Sequence, residues 1–170
     1  MFQRGQAFDV FKLLIAAVVA IALLAVLLPI IYNIIMIGQN KPTETAVSLV
    51  KDSYNKPSLY QSTDNVTFNE SDSLNAKTIA SSSRILTEDQ VCVSAGELSG
   101  DPNFSDGANG IVQYSGKSAK TVKLGIVCDI GKDVLNDFSQ YGLDPSLIPS
   151  SCSACTSGNQ TCCVILIQKR

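Results

Sequence analysis

The sequence contains no histidine and no tryptophan, and only 16% of its 170 residues are charged. Histidine is the commonest general base and the commonest metal ligand, so its absence lowers the expectation of an enzyme or a metal protein. The formal net charge of -2 argues against a nucleic-acid partner, because binding phosphates requires a basic surface. We therefore expect no catalytic residue, no cofactor, no bound metal and no nucleic acid.

Charge is also missing from one long stretch near the start of the chain. Residues 13–31 read LLIAAVVAIALLAVLLPII and are entirely apolar. About 20 apolar helical residues span a bilayer core, because in lipid only a helix satisfies its own backbone polar groups. An ordinary secretory signal has a shorter apolar core, followed by a small-residue cleavage site. We therefore expect this helix to remain on the mature protein as an anchor.

All the cysteines lie beyond the apolar run. An even number confined to the soluble part indicates disulfides and an oxidising compartment, with reduced or metal-bound thiols as the alternative. Two of them are adjacent, and adjacent cysteines are poorly placed to share one tetrahedral zinc ion. The six residues are Cys92, Cys128, Cys152, Cys155, Cys162 and Cys163.

The cysteine pairing is open, because six cysteines allow fifteen connectivities. Cys92 and Cys128 lie in strand-like contexts and could bridge neighbouring strands. The remaining four are close together in sequence, so we expect Cys152 and Cys155 to pair with Cys162 and Cys163 in either order.

Beyond the apolar run the chain becomes polar, and its periodicity predicts a β-rich domain. We expect helix to about Tyr54, broken or bent near residues 38–42, with Ala46, Leu49 and Val50 on its apolar face. Short segments rich in Val, Ile and Thr, separated by Gly, Asn, Asp and Ser, predict strands. These candidate strands are 65–69, 78–85, 90–94, 111–114, 121–129 and 162–168, with a short helix at 132–141.

The predicted fold class is α+β. A long N-terminal hydrophobic helix, kinked near Pro29, precedes a small disulfide-bonded antiparallel β-rich head domain. Proline removes one backbone donor and crowds the preceding turn, which is the physical reason for the kink.

Two loops approach known ligand-binding motifs without matching them. Residues 110–118 have five residues between the two glycines where a phosphate-binding loop has four, so we expect a β-hairpin turn at 115–117. Residues 101–107 begin like a calcium loop, but the glycine comes one position late and Val112 replaces the closing Glu. We expect a solvated, turn-rich loop there.

Four Asn-X-Ser/Thr sequons lie in the predicted exterior domain. Each is a candidate for glycosylation, and an unmodified polar loop is the alternative at each. The acceptor residues are Asn65, Asn69, Asn103 and Asn159.

The residues around the start of the apolar helix carry a family resemblance. Arg4-Gly5-Gln6, a lone acid at Asp9, an uncharged helix and Pro29 together resemble an archaeal type IV prepilin with a class III signal peptide. The resemblance implies that a prepilin-type signal peptidase cuts between Gly5 and Gln6. The implied domains are a leader at 1–5, a membrane and filament-core helix at 6–54 and an extracellular head domain at 55–170.

The acid departs from the family pattern by one position. Many members carry Glu at the fifth mature position, where it pairs with the N-terminal amine of a neighbouring subunit, whereas cleavage after Gly5 makes Asp9 the fourth residue. Asp9 therefore either fills this assembly role or pairs with Lys12 one turn along the helix. Ala16 and Ala20, four residues apart, would permit close helix–helix approach.

The resemblance implies a structural function rather than catalysis. The chain would wait in the cell membrane with its C-terminal domain outside, and would then polymerise with copies of itself into a surface filament. The implied partners are the membrane, the signal peptidase and a pilus assembly platform, and adhesion would follow from the filament. The alternative is a monomeric membrane-anchored extracytoplasmic protein that binds a ligand or assists a secretion or motility machine.

Overall fold

The computed structural model describes residues 6–39, 41–107 and 110–170. Side chains are described for residues 12–29, 41–107, 110–153 and 155–170. The chain divides into two compact units, Met1–Gln39 and Asn40–Arg170, which we call the first and second units.

The first unit contains a single described element, helix α1 (Gln6–Gln39), which includes Pro29 and continues beyond it. The predicted apolar helix is therefore confirmed, whereas the kink at Pro29 stays a prediction. The segment Lys12–Pro29 is long and apolar enough to cross a membrane, a property that a membrane anchor and a signal sequence share.

The second unit is an α+β domain with three disulfides, which confirms the predicted fold class. Its described residues combine short helices with seven strands. In chain order the elements are α2 (Pro42–Tyr54), β1 (Gln61–Phe68), β2 (Ser73–Asn75), α3 (Ala76–Ser83), β3 (Val91–Ser94), β4 (Phe104–Gly107), β5 (Ile111–Tyr114), β6 (Lys120–Ile130), α4 (Gly131–Gln140), α5 (Ala154–Ser157) and β7 (Thr161–Gln168).

The strands form two sheets. The larger has the order β1-β6-β7-β3, with antiparallel pairing except between β7 and β3, which are parallel. The smaller, with the order β2-β5-β4, is antiparallel throughout. The prediction of a mainly antiparallel architecture is thus confirmed, although the β3–β7 pair departs from it.

The larger sheet is covered on both faces, so it separates two hydrophobic cores. Alternate residues of a strand point to opposite faces, and in β7 both sets are buried. The first core takes Cys163, Ile165 and Ile167 from β7, together with residues of α2, α3 and the smaller sheet. The second core takes Cys162, Val164 and Leu166, together with residues of α4 and the segment after it.

Helix α2 belongs to the second unit. Its predicted apolar face is confirmed, since Ala46, Leu49 and Val50 are buried in the first core. The resemblance implies one N-terminal helical domain at 6–54, whereas the compact units divide between Gln39 and Asn40. The reason is that α2 is amphipathic, so it buries one face in the head, whereas α1 is apolar all around.

The strand predicted at 78–85 is wrong, because helix α3 occupies this region. The side chain of Asn75 caps the helix by accepting a hydrogen bond from the Lys77 backbone N–H at 2.9 Å. The helix ends at Arg84, whose φ of 59° is left-handed. Its buried residues recur at helical spacing and are Ala76, Ile79, Ala80 and Ser83. The β-branched residues Thr78 and Ile79 favoured the strand prediction, whereas the Asn75 cap stabilises a helix here.

The hairpin predicted at 115–117 is also wrong, because β5 and β6 lie in different sheets. The connection is instead fixed by the Tyr114 hydroxyl, which donates a 2.6 Å hydrogen bond to the Ser118 carbonyl. The loop predicted at 101–107 contains β4, a strand that the sequence analysis missed along with β2.

Gly125 in β6 offers a test of the packing. A Cβ atom there would lie 2.5 Å from the Tyr60 hydroxyl, which donates a 2.6 Å hydrogen bond to Gln168. We expect Gly125→Ala to displace Tyr60, break this bond and cost about 1–3 kcal/mol in the free energy of unfolding. Urea denaturation measures the change. Gly100→Ala is the control, since no atom lies within 4 Å of its Cβ, and equal losses for the two variants would contradict this packing.

Candidate functional site

The surface of α1 is the most unusual surface in the described chain. Every large apolar side chain from Leu13 to Leu28 is 48–69% exposed, and none of the Lys12–Pro29 segment is buried. Covering one such side chain is worth about 1.5–3 kcal/mol. The helix therefore requires lipid or another apolar surface around it.

Two alanines interrupt the larger side chains on one face of this helix. Ala16 and Ala20 are both exposed and lie four residues apart, so they share a face. Small side chains at this spacing let the backbone of a second helix approach closely.

The residues predicted for processing lie at the beginning of this helix. Gln6 is its first residue, whereas Gly5 lies outside the described residues. The side chain of Asp9 also lies outside the described part, so both of its predicted pairings stay predictions.

The six cysteines form three disulfides, as the sequence predicted, but the pairing differs in part. The expected Cys92–Cys128 bond is wrong. The bonds are Cys92–Cys152, Cys128–Cys163 and Cys155–Cys162.

The alternation of side chains along β7 explains this pairing. Adjacent Cys162 and Cys163 point to opposite faces, so they cannot both bond to partners in one core. Cys163 lies directly opposite Cys128 on β6, with Cα atoms 4.1 Å apart, and their bond lies in the first core. Cys162 pairs with Cys155 in the second core.

Cys92 could not reach Cys128. Strand β7 separates the strands β3 and β6 that carry them, and the two cysteines belong to different cores. Cys92 instead joins Cys152, which fastens the segment after α4 to the larger sheet. Successive residues of a strand point to opposite faces, so the sequence alone shows that adjacent Cys162 and Cys163 point apart. This rule would have argued against pairing both of them with the neighbouring Cys152 and Cys155.

Helix α4 is held at both ends. At its first turn, the backbone N–H groups of Gly131 and Lys132 donate to the carbonyls of Gln160 and Gly158, inside the loop that Cys155–Cys162 closes. Just past its end, the Tyr141 hydroxyl donates a 2.9 Å hydrogen bond to the Ser58 carbonyl.

Two carboxyl groups meet beneath α4, and the sequence analysis missed them. Asp137 is only 7% exposed, and its Oδ2 atom has no hydrogen-bond partner among the described atoms. Asp129 of β6 lies beside it and accepts hydrogen bonds from the Ser58 hydroxyl and the Ile130 N–H. Residue spacing could have predicted the burial of Asp137, since it shares one helix face with the apolar residues Val134 and Phe138.

The two carboxyl groups differ in proton affinity. Burial raises the pKa of Asp137 to about 6, helped by the hydrogen bond that its protonated carboxyl donates to Asp129 and by the charges of Asp129 and Asp133. Burial acts in the same direction on Asp129, but hydrogen bonds from Ser58, Ile130 and Asp137 outweigh it and lower its pKa. One proton is therefore shared by the pair in mildly acidic solution.

The four sequon asparagines are unequally accessible. Asn65, Asn69 and Asn159 are exposed. Asn103 is half-buried, and its side-chain nitrogen donates a 3.0 Å hydrogen bond to Asp101. The side chain of Asn69 is also engaged, at 3.3 Å from Asp72.

The calcium-like loop uses its acids within the protein. Asp101 bonds Asn103 through one oxygen and Lys120 through the other, and the bond to Lys120 is the main reason that the Asp101 pKa is lowered. Asp106 accepts from the Ala95 N–H at 2.7 Å. Among the described residues, no group of three His, Cys, Asp or Glu could hold a metal ion.

Comparison with protein-family models, with curated proteins and with solved structures finds no match to this chain.

The disulfides should differ in their contribution to stability. Cys92–Cys152 closes a separation of 60 residues and Cys155–Cys162 one of 7. In the chain-entropy relation the longer loop contributes about 4 kcal/mol and the shorter about 2.5 kcal/mol. We expect Cys92→Ala/Cys152→Ala to lose more unfolding free energy than Cys155→Ala/Cys162→Ala.

These two double variants are matched, because all four cysteines lie in the second core. Urea titration measures both, and non-reducing peptide mapping of the parent chain first establishes the pairing. A reversed order of stabilities would show that loop length does not govern the effect.

Proposed function

We propose that this chain is a structural subunit of an archaeal type IV pilus-like surface filament, held in a membrane before it polymerises through α1. The observation that carries the proposal is the contrast between the two units. The second unit buries its own apolar residues in two cores, whereas α1 presents apolar side chains in every direction.

The composition of α1 suits both environments that the proposal requires. Lipid covers the helix before assembly, and copies of the same helix cover it afterwards. Lipid tails are as apolar as Leu, so assembly cannot depend on hydrophobic burial alone. Close packing at Ala16 and Ala20 would contribute part of the free energy that favours assembly over the lipid-covered state. Pairing of Asp9 with the amine of a neighbouring chain would contribute another part.

Processing would create that amine. In the family that the N-terminus resembles, a membrane peptidase cuts ahead of the helix, and here the cut would fall between Gly5 and Gln6. The resulting chain would begin at the first residue of α1. Gln6 and Asp9 are three residues apart, which is about 4.5 Å along the helix axis. A small axial offset between neighbouring helices would therefore bring the new amine of one chain beside Asp9 of the next.

The second unit suits an exterior location. Three disulfides crosslink this small domain, and disulfides form and persist in an oxidising compartment. Glycans on Asn65, Asn69 and Asn159 would extend from exposed positions, whereas the engaged side chain of Asn103 is the poorest acceptor of the four. Surface attachment would be a property of the filament.

Mass spectrometry of the native protein, with electron microscopy of the same detergent-free fraction, tests the proposal. We expect a chain that begins at Gln6, has six oxidised cysteines and forms filaments. Any additional mass at a sequon peptide would report a glycan.

A chain that keeps residues 1–5 and remains a single subunit at high concentration would contradict the proposal. It would favour a monomeric membrane-anchored protein. Filaments built from the uncut chain would reject the processing step alone.

The packing face of α1 can be tested separately. We expect Ala16→Leu/Ala20→Leu to leave membrane insertion intact, since leucine is more apolar, but to shorten or abolish filaments by blocking close approach. Filament length and membrane fractionation are the two readouts.

Ala22→Leu/Ala25→Leu is the matched control. It makes the same chemical change on the opposite side of the helix, because successive residues rotate by 100°. Equal loss of filaments in both variants would show that Ala16 and Ala20 have no particular role.

A further inference from the structure

We propose that Asp129 and Asp137 form a proton-sharing pair that holds α4 and the segment at Ser58 on the second unit in acidic solution, and that loss of the shared proton loosens them. Both carboxyl groups lie within the second unit, so their behaviour does not involve filament assembly.

Asp137 is buried in surroundings that favour its neutral form. Its Oδ2 atom is buried and faces no described donor, a costly arrangement for an ionised carboxylate. A protonated carboxyl removes that cost, because it becomes a donor and Asp129 is an acceptor beside it. The pair is therefore most stable with Asp137 neutral and Asp129 ionised.

Two acidic side chains act on Asp137 through their charges. Asp129 acts on Asp137 from β6, and Asp133 acts from the same helix one turn earlier. Strand β7, helix α5 and the turn Pro145–Leu147, which pack against α4, contribute no titratable side chain other than disulfide cysteines. The lysines of α4 and β6 are not among the groups that act on Asp137: Lys132 of α4, and Lys120 and Lys123 of β6. Both charges that do act on it are negative, so ionisation places Asp137 among like charges.

Asp129 also belongs to a hydrogen-bond network around Ser58. Asp129 accepts the Ser58 hydroxyl, the Ser58 N–H donates to the Cys128 carbonyl at 3.1 Å, and the Ser58 carbonyl accepts from Tyr141. The rings of Tyr60 and Tyr141 also pack, with centroids 5.7 Å apart. One hydrogen-bond network therefore joins the C-terminal end of β6, the segment at Ser58 and the C-terminal end of α4.

The two ends of α4 should respond differently. The first turn is bonded to the loop that the Cys155–Cys162 disulfide closes, so it remains in place. The C-terminal end depends on Tyr141 and on the carboxyl pair. Repulsion between the ionised acids should open the helix from that end.

The direction of the pH dependence follows from linkage. The pKa of Asp137 is about 6 in the folded chain and 3.8 in the unfolded chain, so its contribution to stability is complete below pH 3.8 and is lost as pH rises through 6. Asp129, with a lowered pKa, contributes in the opposite direction and only in more acidic solution. The pair therefore weakens between pH 4 and 7.5.

Urea denaturation of the full chain in detergent, at pH 4 and at pH 7.5, tests the proposal. The shift in pKa predicts that titration of Asp137 lowers the folded-to-unfolded ratio by roughly fiftyfold over this range. Asp137→Asn keeps a neutral donor at every pH, so we expect it to match the parent at pH 4 and to exceed it at pH 7.5. Asp133→Asn is the control and should keep most of the pH dependence.

Hydrogen exchange locates the opening. After correction for the intrinsic pH dependence of exchange, amides 138–141 should lose protection between pH 5 and 7.5 while those of β7 keep it. Parallel pH profiles for the parent and Asp137→Asn would overturn the proposal. If Asp137→Asn does not fold, ¹³C titration of aspartate-labelled parent protein decides, since the proposal requires one carboxyl that titrates near pH 6.

Discussion

The burial of β7 on both faces is the constraint on which the second unit depends. A strand covered on one side alternates apolar and polar residues, whereas β7 is apolar at every position from Cys162 to Ile167. Each face then needs its own cover, and the chain supplies α2, α3 and the smaller sheet on one side and α4 with its following segment on the other. The same alternation sends the adjacent cysteines into different cores, so that one bond joins two neighbouring strands and another closes the loop beneath α4.

Periodicity allowed much of this architecture to be predicted. The apolar helix, the face of α2, most strands of the larger sheet and the helix at 132–141 all follow from residue spacing, because spacing reports burial directly. The predictions failed where a local contact or a distant partner decides the structure. The Asn75 cap makes α3 a helix, and the pairing of β5 with β2 and β4, instead of with β6, removes the expected hairpin. The Asp129–Asp137 pair arises from residues that only the folded chain brings together.

The two units meet different physical demands, which is the basis of the proposed function. The second unit buries its apolar residues in its own cores and adds three disulfides, which stabilise a small domain. Helix α1 satisfies only its backbone and leaves its side chains to be covered by something outside the described chain. In the proposed function, lipid and then copies of the same helix cover these side chains. The proposed carboxyl pair makes the stability of the α4 region depend on pH.

The central claim is that copies of α1 cover one another in the assembled state. The most direct measurement places a photo-crosslinking amino acid at Val19, which lies in the middle of the exposed apolar surface, and irradiates detergent-free native assemblies. The account predicts a ladder of multimers of this chain, with crosslinked peptides that join one α1 to another. Crosslinks to lipid alone, or to an unrelated protein, would contradict it.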